Sequence, residues 1–316
     1  MRNLLYDFIR ILLAIQVFMT HFFQYAYQRL DSDNYFLQIL LNNNLSIKLF
    51  FLFSGFFVYK YTPIIRQNIK QLFYFQLKRY LRLIIPLFFS FAIYLIYRQD
   101  FTLTDFFLYS LYKGFEKEIA LNPALWTLKA EIIGHAVLSL FIFLYYINNV
   151  TRFIGFLLSA ICIVLLPYTV FHFLGCIIAL SSKKDHFSLS AFQKISLLVI
   201  SIYLVGYSGD LALYPSTQPL LLYHLFSGLG IVMLFYLIIS LDVKLYSKNF
   251  MAFITQLYYP VYIFHFPIIL TFSKPLYIQN MYLNFLITTL IVFLIAAIFY
   301  VLFERRLNGY LKRKLT

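Results

Sequence analysis

Apolar residues along this chain fall into long unbroken runs rather than the alternating or one-sided patterns of soluble elements. The runs lie at about 4–26, 45–61, 80–97, 123–147, 152–166, 168–181, 194–208, 219–241, 250–273 and 282–303, separated by polar or proline-containing breaks. A bilayer span takes about 20 predominantly apolar residues, and a helix satisfies its own backbone groups in lipid. The pattern therefore predicts an all-α, polytopic membrane protein with about ten transmembrane helices. The fifth and sixth runs are short and meet at Pro167, so they form either a shallow hairpin or one long span. No internal repeat, low-complexity tract or linker breaks the series, which makes residues 1–316 a single membrane domain. The first run, from about Leu4 to Tyr27, is too long for a signal-peptide core and carries Asp7 and Arg10, so it reads as a retained span.

Composition agrees with this reading. The 316 residues are 62% hydrophobic and only 12% charged, against roughly 25% charged in soluble domains. A soluble globular protein is excluded, and the chemistry must sit in or beside the bilayer. Twenty-six Lys plus Arg against twelve Asp plus Glu leave a net charge of +14, which in a soluble protein would raise nucleic acid as a partner. Placement gives the charge another use. With ten spans and the N-terminus inside, eighteen basic residues fall on the cytoplasmic side. Six fall outside, at Arg29, Lys48, Arg98, Lys113, Lys117 and Lys274, and Arg10 and Lys129 lie within spans. That bias is the positive-inside signature and predicts both termini in the cytoplasm. The bilayer is then the partner, and no nucleic-acid partner is expected. Cys162 and Cys176 lie in apolar runs without metal-ligand spacing and read as small core residues; no metal site is expected.

An ionisable group inside a span costs at least a few kcal/mol on insertion scales, so each one needs a reason. The first span holds Asp7, Arg10 and His21. An eleven-residue spacing returns to within about 20° of one helix face, which puts Arg10 and His21 on a common stripe roughly 16 Å apart. Asp7 and Arg10 can simply pair at the inner interface, and His21 can be an interhelical hydrogen-bonder; a shared polar stripe can equally face a cavity. The fourth span opens Asn122-Pro123-Ala124-Leu125-Trp126-Thr127-Leu128 and continues to Glu131 and His135. Trp126 suits an interfacial anchor, and Glu131 with His135 at i+4 can form a structural contact or serve chemistry. Arg79 and Arg82, at i+3 beside Lys78 at the cytoplasmic entry of the third span, either snorkel to headgroups or offer a guanidinium fork to phosphate. His265, between Pro260 and Pro267 late in the ninth span, can satisfy backbone groups freed by a kink. Ser54-Gly55 reads as close helix packing.

These segments together resemble the membrane-bound acyltransferase family 3, whose members move acetyl or other acyl groups onto extracytoplasmic sugars. Five blocks agree in order across nearly the whole chain. They are Arg10 with His21, the second-span run Leu49 to Phe56, Arg79 with Arg82, Trp126-Thr127-Leu128-Lys129-Ala130-Glu131, and Tyr262 with His265 and Pro267. The chain departs from the family pattern at Phe8 and Ile11, where glycines are usual, at Thr127 for Ser, and at Arg305 and Arg306, where a proline is usual. It looks like the stand-alone form, without an appended esterase-like domain.

The resemblance implies an O-acetyltransferase of the bacterial plasma (inner) membrane. It uses cytosolic acetyl-CoA as acyl donor and a surface polysaccharide or its lipid-linked precursor as acceptor. It implies His21 and Glu131 as catalytic, Arg10, Arg79 and Arg82 as donor-binding, and Trp126 and His265 as substrate or structural support. Helix rise fits that division. His21 comes out ~25 Å up a span entering from inside, Glu131 and His265 fall in the same outer half, and the three arginines fall in the inner half. A neutral imidazole shielded from water suits the general base that a sugar hydroxyl needs. The alternative is a polytopic transporter or flippase for a lipid-linked sugar. Its mark would be inverted repeats with broken helices, and none is seen.

Overall fold

The computed structural model of the chain describes residues 4–27, 41–66, 68–97, 125–181, 189–207, 220–241, 249–273 and 280–314. Among these residues every regular element is helical: α1 (Leu4–Tyr27), α2 (Asn43–Lys60), α3 (Thr62–Ile65), α4 (Ile69–Tyr97), α5 (Leu125–Tyr145), α6 (Asn149–Leu165), α7 (Val170–Ser181), α8 (Ala191–Tyr207), α9 (Leu220–Ser240), α10 (Asn249–Ile254), α11 (Tyr258–Ile268), α12 (Met281–Phe299) and α13 (Arg305–Lys314). A 3-10 turn at Pro167–Thr169 separates α6 from α7, and π-helical turns at Ile269–Ser273 and Tyr300–Glu304 follow α11 and α12. Asparagines set several starts by accepting from orphan amides, Asn42 from Leu45 at 3.3 Å and Asn280 from Leu283 at 3.1 Å. Asn148 and Thr151 form a reciprocal capping box on α6.

Where the structure describes them, the apolar runs are helical, but they differ from their helices in three places. α4 starts at Ile69, well before its run, because Lys, Gln and Arg are good helix formers that a hydropathy pattern counts as breaks. Arg79 and Arg82 therefore lie inside a long helix that also contains Pro86, not at its entrance. The ninth run is not one helix: tight turns at Gln256 and Leu257 divide α10 from α11. α2, which contains the Lys48 counted above on the outer side, starts at Asn43, ahead of its run, because its polar Asn-rich first turn reads as a break.

Among the described residues, three helical segments are long and apolar enough to cross a membrane: Leu4–Ala26, Trp126–Tyr145 and Met281–Leu307. Asn149–Leu165, Pro167–Ser181, Ala191–Val205 and Leu225–Ser240 are apolar but shorter. Asn122, Pro123 and the basic residues Arg2, Arg29, Arg98, Lys113, Lys117, Lys183, Lys184, Lys244, Lys248 and Lys274 lie outside the described residues.

The chain forms two compact units interleaved in sequence. One contains Met1–Leu30, Phe73–Lys129 and Lys244–Thr316; the other contains Asp31–Leu72 and Ala130–Val243. In the first unit α11 is the axis. All of its residues are buried, with α1 packed along it and α12 beside it. Phe18, Phe22, Phe264 and Phe266 fill the space between.

In the second unit α2 lies against α7, α9 meets α2, and α8 packs on α9. The α2–α7 contact brings backbone onto backbone. A Cβ at Gly55 would fall on the carbonyl of His172, and one at Gly175 on the carbonyl of Leu52. Only glycine allows that approach, which is how helices pack in lipid.

Candidate active site

In the first unit, α1 carries His21 and α11 carries His265, and the two imidazoles meet. His21 Nδ1 lies 2.8 Å from His265 Nε2. The ring planes are within 10° of parallel, with centroids 5.1 Å apart. Parallel planes can be no farther apart than their nearest atoms, so the rings sit edge to edge and the N–H···N bond runs in their common plane, its strong geometry.

His265 Nδ1 donates to the Tyr262 carbonyl at 2.6 Å, and the Tyr262 hydroxyl hydrogen-bonds the Thr127 hydroxyl. Thr127 thus keeps the hydroxyl of the serine usual at its position. Phe18 packs edge-on to His265, and Phe266 and Tyr25 pack edge-on to His21. The pair is buried, His21 at 5% and His265 at 0% exposure. Trp126, next to Thr127, is half-buried.

The basic residues of this unit also come together. Arg10 Nη1 is 3.9 Å from Asp7 Oδ1, and its guanidinium covers the Tyr258 ring at 3.9 Å. Arg79 and Arg82 lie within electrostatic reach of Arg10. Arg82 directs Nε and Nη2 onto Glu304 Oε1 at 3.3 and 3.0 Å. Glu304 closes the π-helical turn Tyr300–Glu304 that follows α12 and is only 2% exposed. Tyr259 Oη donates to the Leu83 carbonyl at 2.7 Å, one turn before Pro86, where the proline weakens the helical ladder. Three guanidinium groups against two carboxylates leave an excess of positive charge, suited to a phosphorylated ligand.

In the second unit Glu131, on α5, is held through both oxygens. Ser54 Oγ donates to Oε1 at 2.9 Å, and His172 Nε2 lies 3.3 Å from Oε2. His172 is fully buried, with Phe51 over its face at a centroid distance of 4.9 Å. Gly134 makes room for it, since a Cβ there would stand 2.6 Å from ring atoms. A carboxylate accepting on both oxygens is fixed in orientation. His135 is buried one turn beyond Glu131.

Neither Ser54 nor His172 was singled out from sequence as a partner of Glu131. The signal for His172 was present, since it is an ionisable group inside an apolar run, as costly there as Glu131. Lys48 is buried in the same unit, where Nζ donates to Ser227 Oγ at 3.1 Å and faces the Phe171 ring. Among the described residues no group of three or more His, Cys, Asp or Glu side chains is placed to hold a metal, and Cys162 and Cys176 are free thiols.

A helical membrane protein with a buried imidazole pair, and with a guanidinium cluster reached from the same first helix, is the class that fold and site define. The family model of the acyltransferase domain matches residues 3–304, and the chain therefore belongs to acyltransferase family 3. No characterised protein and no solved structure matches it.

Proposed function

We propose that the chain is a membrane O-acyltransferase that moves acetyl from cytosolic acetyl-CoA to a hydroxyl of an extracytoplasmic surface polysaccharide or its lipid-linked precursor. The observation that carries this reading is the buried His21–His265 pair, whose His21 lies on the helix that also presents Arg10, in a chain of an acyltransferase family. A sugar hydroxyl becomes a competent nucleophile when a positioned base removes its proton as it attacks.

His21 takes that proton while the hydroxyl oxygen bonds to the thioester carbonyl carbon. The carbon–sulfur bond then breaks, and His21 returns the proton to the departing thiolate. The products are the sugar ester and free thiol. Arg10, Arg79 and Arg82 bind the donor's phosphates, Glu131 is the second catalytic group, and Trp126 supports the substrate. The topology that goes with this is ten spans in the bacterial plasma membrane with both termini cytoplasmic, the arrangement of strongest basic asymmetry.

Purified protein in lipid vesicles, supplied with acetyl-CoA labelled in its acetyl group and with the host's extracted surface glycan, tests the reading. Release of CoA thiol and label in the glycan are expected. Intact acetyl-CoA in the presence of well-inserted protein would overturn it.

A further inference from the structure

We infer that His265 is a positioning residue that fixes the tautomer of His21 and makes His21 Nε2 the atom that accepts the hydroxyl proton; this rests on the reading of His21 as the base. One partner in this chain of hydrogen bonds has a sense with no alternative. The Tyr262 backbone carbonyl has lone pairs and no proton, so His265 Nδ1, 2.6 Å away, carries the hydrogen. A neutral imidazole has one N–H, which leaves a lone pair on His265 Nε2. His21 Nδ1, 2.8 Å from that lone pair, must then be the donor. His21 therefore holds its proton on Nδ1, and its own lone pair is on Nε2, away from His265.

Orientation is set along with tautomer. Tyr262 and His265 are three residues apart on α11, so the helix itself fixes where the acceptor lone pair points. The near-parallel ring planes keep the bond between the imidazoles in plane. The Phe18, Phe266 and Tyr25 edges restrict rotation of the two rings.

When Nε2 takes the hydroxyl proton, the Nδ1–H bond to His265 strengthens and the positive charge is shared with the second ring. The Tyr262 carbonyl ends the chain because it accepts a hydrogen bond but not the proton. The proton therefore leaves by the way it came, from Nε2 to the departing thiolate. Sequence spacing alone leaves His265 open to a purely structural role. The carbonyl, at one end of a two-bond chain, assigns its sense.

Nitrogen NMR of histidine-labelled protein in lipid bilayers reads the tautomer directly, with the His21 signals assigned by their loss in His21→Gln. The expected wild-type result is a neutral His21 protonated at Nδ1. His265→Leu removes the acceptor and should lose that state, with kcat falling ~10- to 100-fold, the scale known for partners that orient metal-bound histidines, and the acceptor KM little changed. His265→Gln, which can place an amide oxygen toward His21, should restore the Nδ1–H tautomer and part of kcat. Since a cavity at a buried site can also disturb folding, the Gln variant separates loss of the hydrogen bond from loss of packing. A wild-type His21 protonated at Nε2, or a tautomer unchanged in His265→Leu, overturns the inference. Full acyl transfer by His21→Gln would instead overturn the base reading on which it rests, whatever tautomer is found.

Discussion

His21 sits at the end of a stripe that begins at Arg10, and the helix between them is unbroken. Removing the imidazole should therefore abolish chemistry without unsettling the span, since alanine inserts into lipid more easily than histidine. His21→Ala is expected to lower acyl transfer by about 10²–10⁴-fold, with normal membrane yield on fractionation; wild-type rates would remove His21 from the mechanism. The two inner arginines should differ. Arg79→Ala is expected to raise the apparent KM for acetyl-CoA, with Lys recovering only part, because a guanidinium fork grips phosphate where an ammonium is a point charge. Arg82→Ala should in addition lower thermal stability, by about 1–3 kcal/mol, because it leaves the buried Glu304 without the guanidinium that now binds Oε1. The double change Arg82→Leu with Glu304→Leu should recover the stability and not the donor affinity. Equal melting temperatures for Arg79→Ala and Arg82→Ala would contradict this division. The Arg10–His21 and Arg79–Arg82 spacings could be read from sequence because they are local to one helix. The Arg82–Glu304 and His21–His265 pairs could not, since 222 and 244 residues separate the partners and only packing brings them together.

At the scale of elements, the α2–α7 contact is the most sharply defined, because two backbones meet across two glycines. Gly55→Ala places a methyl where the His172 carbonyl now lies, and Gly175→Ala does the same at Leu52. Each should force the helices apart and cost about 1–3 kcal/mol or more, seen as a lower melting temperature in detergent. Gly309→Ala, where a Cβ meets open space, serves as the neutral comparison. The Gly55 change should also loosen the grip of Ser54 and His172 on Glu131, since both sit at that crossing. Melting temperatures of Gly55→Ala and Gly175→Ala no lower than that of Gly309→Ala would contradict the close contact. Helix positions follow the apolar runs because burial in lipid and helix formation demand the same residues. The reading fails where they diverge: in the polar first turns of α4, at the asparagines that open α2, and at the turns and π-helical registers that divide the ninth run and end the tenth.

For the molecule as a whole, the family match covers residues 3–304 as one stretch, and the chain forms two compact units that alternate along it. Hydropathy carries no information on which run neighbours which, so that division was not available from the pattern. Orientation rests on charge. In a cysteine-free background, cysteines introduced at 182–193 should resist an impermeant thiol reagent applied to intact cells, and labelling from outside would contradict the ten-span arrangement with cytoplasmic termini. The central claim is that this chain acetylates a surface glycan with His21 as the base, and the most direct test compares glycan mass spectra from cells lacking the gene with those restored by wild-type or by His21→Ala protein. The account predicts that a sugar increment of about 42 Da, one acetyl replacing a hydroxyl hydrogen, is lost without the gene, returns with the wild type and stays absent with His21→Ala at equal membrane level. An unchanged spectrum without the gene, or full restoration by His21→Ala, would contradict it.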